Sequence, residues 1–256
     1  PSDERKVYSF STITIDDKQN AIEYLRNVEL EDDKLVNVVF CKTGNGDFVS
    51  ITVHHFLIDL VSWEVLIKDF NTIIKQLKKQ EKIDLPAKTA SFKLWSARLN
   101  QYAETMPEEN RVYWSNITEK LDNARSINVC EKVNEAESYS FTYDKEESEK
   151  IIKDVNTAYG TRTNEVLLTA LGLAASKLTG TASGIIVESH GRTELHKPIA
   201  IERTIGWFTS CYPVMVNNNT NVADELINVK DTMRRIPKSG IEYLLLNDGF
   251  HKNSDI

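Results

Sequence analysis

Two Val/Ile-rich runs joined by a short turn, with a long amphipathic stripe directly behind them, constrain this chain more than any other feature. Residues 35–42 (LVNVVFCK) and 48–54 (FVSITVH) carry the β-branched and aromatic side chains that suit a pleated surface. The intervening TGNGD supplies residues that tolerate positive φ, so the pair reads as a β-hairpin. Immediately afterwards Trp63, Leu66, Ile67, Phe70, Ile73, Ile74 and Leu77 recur at three- and four-residue spacing with Lys and Glu between them. That period predicts a helix over about 61–80. Strand, turn, strand and helix in close succession point to a mixed α/β class.

The same alternation continues. Residues 91–104 (SFKLWSARLNQYAE) offer Ser91 as an N-cap and an apolar stripe through Trp95, Leu99 and Tyr102. Residues 108–118 follow with Val112, Tyr113 and Trp114, and both segments read as helices closing a first lobe. The polar stretch 119–137 has weak periodicity and reads as the connection to a second lobe. Beyond it, Tyr139, Phe141 and Tyr143 alternate as in a strand, and Asp144 with Glu147 gives an acidic first turn to a helix carrying Ile151, Ile152 and Val155. A further helix runs from Thr163 to about Leu178 and is stopped by Gly180. Ile185, Ile186 and Val187 read as a strand buried on both faces, Pro213 to Val216 as another, and 222–236 as a last helix with the tail IPKSGIEYLLL behind it. The expectation is two α/β lobes, 1–125 and 126–256.

Composition removes several classes of function. Asp and Glu number 38 against 31 Lys and Arg, a net charge of -7, which counts against a general binder of nucleic-acid phosphates. No run of roughly 18 apolar residues is present to span a bilayer, and the opening PSDERK lacks the apolar stretch of a secretory signal, so a cytoplasmic protein is expected. Cys41, Cys130 and Cys211 are scattered and odd in number, which argues for small core or surface residues rather than a disulfide framework, a zinc site or a nucleophile. No G-x-x-x-x-G-K, G-x-G-x-x-G, G-x-S-x-G or H-E-x-x-H pattern occurs, and nothing calls for a bound metal or redox cofactor.

Three clusters carry the polar chemistry. VHHFLIDLVSW (53–63) lies where a strand meets a helix. Adjacent strand residues point to opposite faces, so one of His54 and His55 faces a site and the other the scaffold. Asp59 could hold the imidazole, cap the following helix or pair with an arginine, and the structural roles outweigh direct catalysis. In IIVESHGRTE (185–194) a strand ends at Glu188, which is either a base tuned by burial or the partner of Arg192. RTIGWFTSCYPV (203–214) by itself reads as core and turn.

Together these clusters resemble the epimerization and condensation domains of nonribosomal peptide synthetases, which share the chloramphenicol-acetyltransferase-like fold. HHFLIDLVSW looks like the family's H-H-x-x-x-D-G-x-S-W segment, with Leu60 where Gly is usual. ESHGRTE (188–194) looks like the E-G-H-G-R-E strand end of epimerization domains, with Ser189 in place of Gly, and TIGWFTSCYPV (204–214) like their T-V-G-W-F-T-x-x-Y-P-V segment. KTASFKLWSARLNQYA, the YW at 113 and 114 and the tail IPKSGIEYLLL, similar to a helix-to-strand passage, keep the family's order. The resemblance is recognisable from about residue 35 onwards. Without a recognisable opening segment or a closing F-N-Y-L-G, it implies two partial lobes with the active site in the cleft between them.

The resemblance implies L-to-D inversion at the α-carbon of an aminoacyl or peptidyl thioester. The substrate is carried on the phosphopantetheine arm of a peptidyl carrier domain, so the cofactor arrives with the partner and none is bound by this chain. His55 and Glu188 map onto the acid/base pair, with His54, Asp59, Ser62, Trp63, Arg192 and Trp207 in support. Arg192 is expected to organise the strand end or the enolate rather than to exchange protons. Desolvation in the cleft would bring both acid/base groups towards the operating pH. Partners would be the carrier and neighbouring synthetase domains, with no nucleic acid and no membrane. Two alternatives keep the fold: a condensation domain using His55 for amide formation, and an inactive module that docks a carrier.

Overall fold

The computed structural model describes residues 8–28, 30, 34–124, 138–195 and 198–246. The chain divides into two compact units, Pro1–Trp95 with Ile199–Phe208, and Ser96–Pro198 with Thr209–Ile256. These are not the consecutive halves 1–125 and 126–256 expected from the sequence. Residues 96–124 fall in the second unit, and 199–208 returns to the first because it bonds there to residues far earlier in the chain.

The first unit is built on three strands. β1 (Tyr8–Thr14) pairs in parallel with β2 (Val36–Lys42), and β2 pairs antiparallel with β3 (Phe48–Val53), in register Val36↔Val53 through Cys41↔Phe48. The β2–β3 hairpin is the one expected, with Gly46 at φ 116 in its turn. Helix α1 (Lys18–Arg26), capped by the Asp17 side chain, connects β1 to β2. Neither β1 nor α1 was legible. YSFSTIT mixes Ser and Thr with aromatics that stay exposed, and its partner strand is distant in sequence.

Helix α2 (Leu60–Lys78) follows β3 as its apolar period predicted, and α3 (Phe92–Glu104) starts where Ser91 Oγ accepts the Leu94 N–H at 3.2 Å. The core holds Val39, Cys41, Ile58, Val65, Trp95 and Phe208, all buried. Phe208 is gripped edge-on by Phe92 and tilted against Trp95, at ring separations of 5.1 and 5.8 Å.

The second unit packs helices on an antiparallel pair, β4 (Ser183–Ser189) and β5 (Ser210–Val216), paired from Ser183↔Val216 to Ser189↔Ser210. α4 (Glu108–Asp122), the short α5 (Lys145–Glu149), a π turn (Lys150–Val155), α6 (Asn156–Tyr159), α7 (Thr163–Thr179), α8 (Val222–Arg235) and α9 (Ile241–Leu246) complete it. Asp144 and Glu147, expected as an acidic first turn, form a capping box that starts α5, and Gly180 at φ 74 ends α7, a left-handed conformation that Gly adopts without a Cβ clash.

Several expectations change. α4 runs on to Asp122, so the expected connection begins inside a helix, and its residues 125–137, Cys130 among them, lie outside the described residues. Tyr139, Phe141 and Tyr143 form no strand; they are exposed and touch one another through their rings, at 6.4 and 5.3 Å. β4 is not buried on both faces. In the two-stranded sheet of the described residues it is an edge strand, and Ile186 is 47% exposed. The apolar run instead reaches full burial in β5, where Tyr212, Val214, Met215 and Val216 form the core with Trp114, Ile117, Leu173, Val229 and Tyr243. The tail makes a 3₁₀ turn (Pro237–Gly240) and then helix α9 rather than a strand.

Glu242 of α9 is fully buried and ties three helices together. Its Oε1 accepts from the Tyr102 hydroxyl and from Asn110 Nδ2 at 2.8 Å, and its Oε2 from Trp114 Nε1 at 3.0 Å. Replacing Glu242 by Leu strands three donors away from water. Glu242→Leu is therefore expected to cost about 3 kcal/mol, and Glu242→Gln, which keeps one acceptor oxygen, less; the urea midpoint at unchanged m-value measures both.

Burial also pushes four tyrosines of this unit up. The Tyr102 phenol is raised by desolvation and then by the Glu242 carboxylate beside it, and desolvation leads likewise for Tyr113, Tyr212 and Tyr243. Their folded pKa values lie above the unfolded value of about 10, so their contribution is complete below that pH and is lost as pH rises through the folded values. The second unit should hold its near-UV circular dichroism up to about pH 10 and lose it above, with these tyrosinates appearing in absorbance together with that loss and not before it.

Candidate active site

In the first unit the site is built at the exit from β3. The His54 N–H donates to Leu35 O at 2.8 Å, and its Nδ1 accepts the Phe56 N–H at 3.2 Å, capping a 3₁₀ turn (His55–Leu57). His54 is thus the scaffold histidine, and His55, on the turn itself, is exposed. Ile58 then plugs into the core and Asp59 caps α2, its Oδ1 accepting the Ser62 N–H at 2.7 Å. Trp63, half-buried, donates its backbone N–H to Asp59 O at 3.0 Å in the first turn. Leu60 is outside the left-handed region, where the described non-glycine residues are Gln80, Lys238 and Ser239, and its side chain is 78% exposed. Leu therefore fits where the resemblance placed Gly.

The same motif holds a second segment. Asp59 Oδ2 accepts the Phe208 N–H at 3.2 Å, and the buried Ser62 hydroxyl donates to Gly206 O at 2.9 Å while accepting the Gly206 N–H at 3.1 Å. A Cβ on Gly206 would stand 2.4 Å from the Phe92 ring, so the close approach requires glycine. Further bonds fasten the run before it. Ala90 N–H donates to Ala200 O at 2.8 Å, Thr204 Oγ1 to Ala90 O at 2.6 Å, and Arg203 Nη2 to both Asp69 carboxylate oxygens at 2.6 and 2.8 Å. Trp207 stands between the two pinned residues with its ring outward. It stacks on Phe56 at 5.3 Å and 20° and lies 6.0 Å from the His55 ring. Segment 203–208 therefore does more than the core-and-turn role read from its sequence, and Phe56 had no distinguishing signal there.

In the second unit Glu188 lies opposite Cys211 on the β4–β5 pair, and it is exposed. Gly191 at φ 63 turns the chain, and His190 Nδ1 accepts the N–H of half-buried Arg192 at 3.0 Å. Ser189, outside the left-handed region, needs no glycine freedom. Glu188 and His190 line a groove of about 730 Å³ together with Arg162, Arg234, Leu167 and Leu171. Arg234 is held at the groove edge by Gly160 O at 2.5 Å and lies 3.8 Å from Glu165.

His55 and Glu188 stand in different units and both are exposed, so neither unit supplies the burial on which their expected desolvation rested. Burial raises the thiol of Cys41, and burial followed by the Glu188 charge raises that of Cys211. Both shifts disfavour the thiolate, in keeping with packing roles. Among the described residues no helix is long and apolar enough to cross a membrane.

The family model of the condensation domain matches residues 4–255. This chain belongs to the condensation domain family. The match begins well before residue 35, so β1 and α1 are part of it although no motif there was recognisable. Among similar proteins, tyrocidine synthase 2 of Brevibacillus parabrevis is 35% identical over 86% of this chain and 6% of that synthase. Gramicidin S synthase 1 of Brevibacillus brevis is 34% identical over 92% of this chain and 23% of its own length. The chain thus spans a small part of the synthases it matches. Among solved structures, the epimerization domain from the third module of tyrocidine synthetase B aligns with a TM-score of 0.79 at 33% identity, covering 96% of this chain and 58% of that one. The first condensation domain of the CDA synthetase aligns at 0.64 with 15% identity, covering 91% and 57%, and shares the fold.

The clamp between α2 and the 206–208 segment is testable. Ser62→Ala leaves the buried N–H and C=O of Gly206 without their partner and should cost about 2 kcal/mol. Asp59→Ala loses a helix cap and the Phe208 bond and should cost at least as much. Both are read from urea unfolding, with a red shift of tryptophan emission as the Trp207 segment loosens.

Proposed function

We propose that this chain carries the epimerization chemistry of a nonribosomal peptide synthetase, inverting the α-carbon of an aminoacyl or peptidyl group held as a thioester on a carrier domain. The observation that carries this reading is the likeness to the tyrocidine synthetase B epimerization domain at 33% identity over 96% of the chain, against 15% for the condensation domain of the CDA synthetase. The ESHGR and GWFTS segments, at 188–192 and 206–210, support it.

A thioester acidifies its α-proton because the carbanion is delocalised into the carbonyl as an enolate. Water at neutral pH is too weak a base to remove that proton quickly, so a positioned base takes it and an acid returns one to the opposite face. No atom is gained or lost; the configuration alone changes. We assign the two transfers to His55 and Glu188. His54 and Asp59 are positioning residues, one through the turn that carries His55 and the other through the start of α2. Ser62 and Trp63 act in the same first helical turn, Trp207 lies beside the imidazole, and Arg192 belongs to the turn that follows Glu188. The phosphopantetheine arm comes with the carrier partner and presents the thioester; neighbouring synthetase domains supply the loaded carrier.

The test uses the full-length protein with an L-aminoacyl carrier in deuterated water. Deuterium is expected at the α-position, with the rate reduced roughly 100-fold or more in His55→Ala and in Glu188→Gln. Wild-type protein that incorporates no deuterium but joins the acyl group to an amine acceptor would overturn this reading in favour of condensation. Carrier binding with neither activity would leave a docking module.

A further inference from the structure

We infer that Phe56 and Trp207 form an apolar shelf that takes the side chain of the residue undergoing reaction, so that this chain selects large apolar or aromatic aminoacyl groups. The inference rests on the proposed carrier-bound thioester as substrate, and it names the class of side chain that substrate carries.

The shelf is rigid where it would cost least to be loose. Trp207 is held by its neighbours' backbones, Gly206 on Ser62 and Phe208 on Asp59, through hydrogen bonds made by two buried side chains. Phe56 sits on a turn whose N–H groups return to His54, at Nδ1 for Phe56 and at O for Leu57. Yet the side chains carried on this frame face water: Phe56 is 67% exposed and Trp207 44%. Two large rings stacked at 5.3 Å add little to the core of their unit at that exposure, whereas a ligand covering them would remove substantial apolar area from water.

Position decides what covers them. The indole centroid is 6.0 Å from the His55 imidazole, so an α-carbon within hydrogen-bond reach of that imidazole lies a side chain's length from the indole. Besides its proton, that carbon bears a thioester carbonyl, a nitrogen and the side chain. The carbonyl gathers negative charge as the enolate forms, and the nitrogen keeps its N–H groups; both lose hydrogen bonds if pressed against ring faces. The side chain is the substituent that can lie there without that cost.

The test measures binding of stable aminoacyl-pantetheine amides, with amide in place of thioester, to the full-length protein by calorimetry. Wild type should bind the phenylalanyl and leucyl amides roughly ten-fold or more tighter than the alanyl and seryl amides, as discrimination by apolar contact allows. Trp207→Ala and Phe56→Ala should weaken the first two to the level of the alanyl amide, and Trp207→Phe should keep most of the preference. Phe56→Ala, on an exposed turn, serves if Trp207→Ala unfolds. Wild type without preference, or variants that weaken all four amides equally, would overturn the inference. A wild type that shows the preference but exchanges no α-deuterium sinks the epimerase reading and leaves the shelf standing.

Discussion

The Ser62 hydroxyl, buried and bonded to both the N–H and the C=O of Gly206, is the contact on which the first unit depends. With Asp59 Oδ2 on the Phe208 N–H it ties the start of α2 to a segment more than a hundred residues later in the chain. Neither bond is strong alone, at about 1 kcal/mol net for a neutral pair and somewhat more for the carboxylate. Their importance lies in what they leave satisfied. The backbone at 206–208 makes a close approach in the core, Phe208 between Phe92 and Trp95, where unpaired N–H and C=O groups would each cost more than the bond returns. Removing the clamp would free Trp207 and the setting of His55 at once.

Both units handle buried charge in the same manner, by surrounding a carboxylate with neutral donors. Glu242 takes hydrogen bonds from Tyr102, Asn110 and Trp114, and Glu225 from the Asn217 N–H at 2.8 Å and Asn228 Nδ2 at 3.0 Å. Asp59 follows the same pattern with backbone donors. Such a carboxylate fixes several elements in one geometry because its donors come from more than one place in the fold. The proton-transfer candidates are placed otherwise, on a turn and at a strand end, where they are open to solvent. The buried anchoring groups and the proposed proton carriers are therefore different residues, and the exposure of the second set leaves the scaffold with all its buried partners.

What could be read along the chain was local. The β2–β3 hairpin, α2, α3, α7 and α8 all announced themselves through period, caps or stop signals within about twenty residues, because those signals act through neighbouring backbone groups. Membership of the family was legible too, since its motifs keep their order, and His55, Glu188, Asp59, Ser62 and Trp207 were all singled out there. Elements whose partners lie far off were not. β1 carries Tyr8 and Phe10 on an exposed face and buries no residue, and the Tyr139–Phe141–Tyr143 alternation suggested a strand where none forms. β4 looked doubly buried, but its apolar run gave no information on how many strands would flank it.

The sequence by itself determined the α/β class, the family and the kinds of side chain available for proton transfer. Those follow from periodicity and from motif identity, which need no knowledge of distant contacts. The tertiary structure alone decided that the units interleave, with 199–208 returning to the first. It also decided that His54 caps the turn while His55 stands exposed on it, that Asp59 is a cap shared by two segments, and that Phe56 stacks on Trp207. The histidine turn is local and needed only the backbone path out of β3; for the rest the physical reason is that a hydrogen bond or ring contact between residues a hundred or more positions apart leaves no periodic trace in either segment, and exists only once packing has brought both to one place.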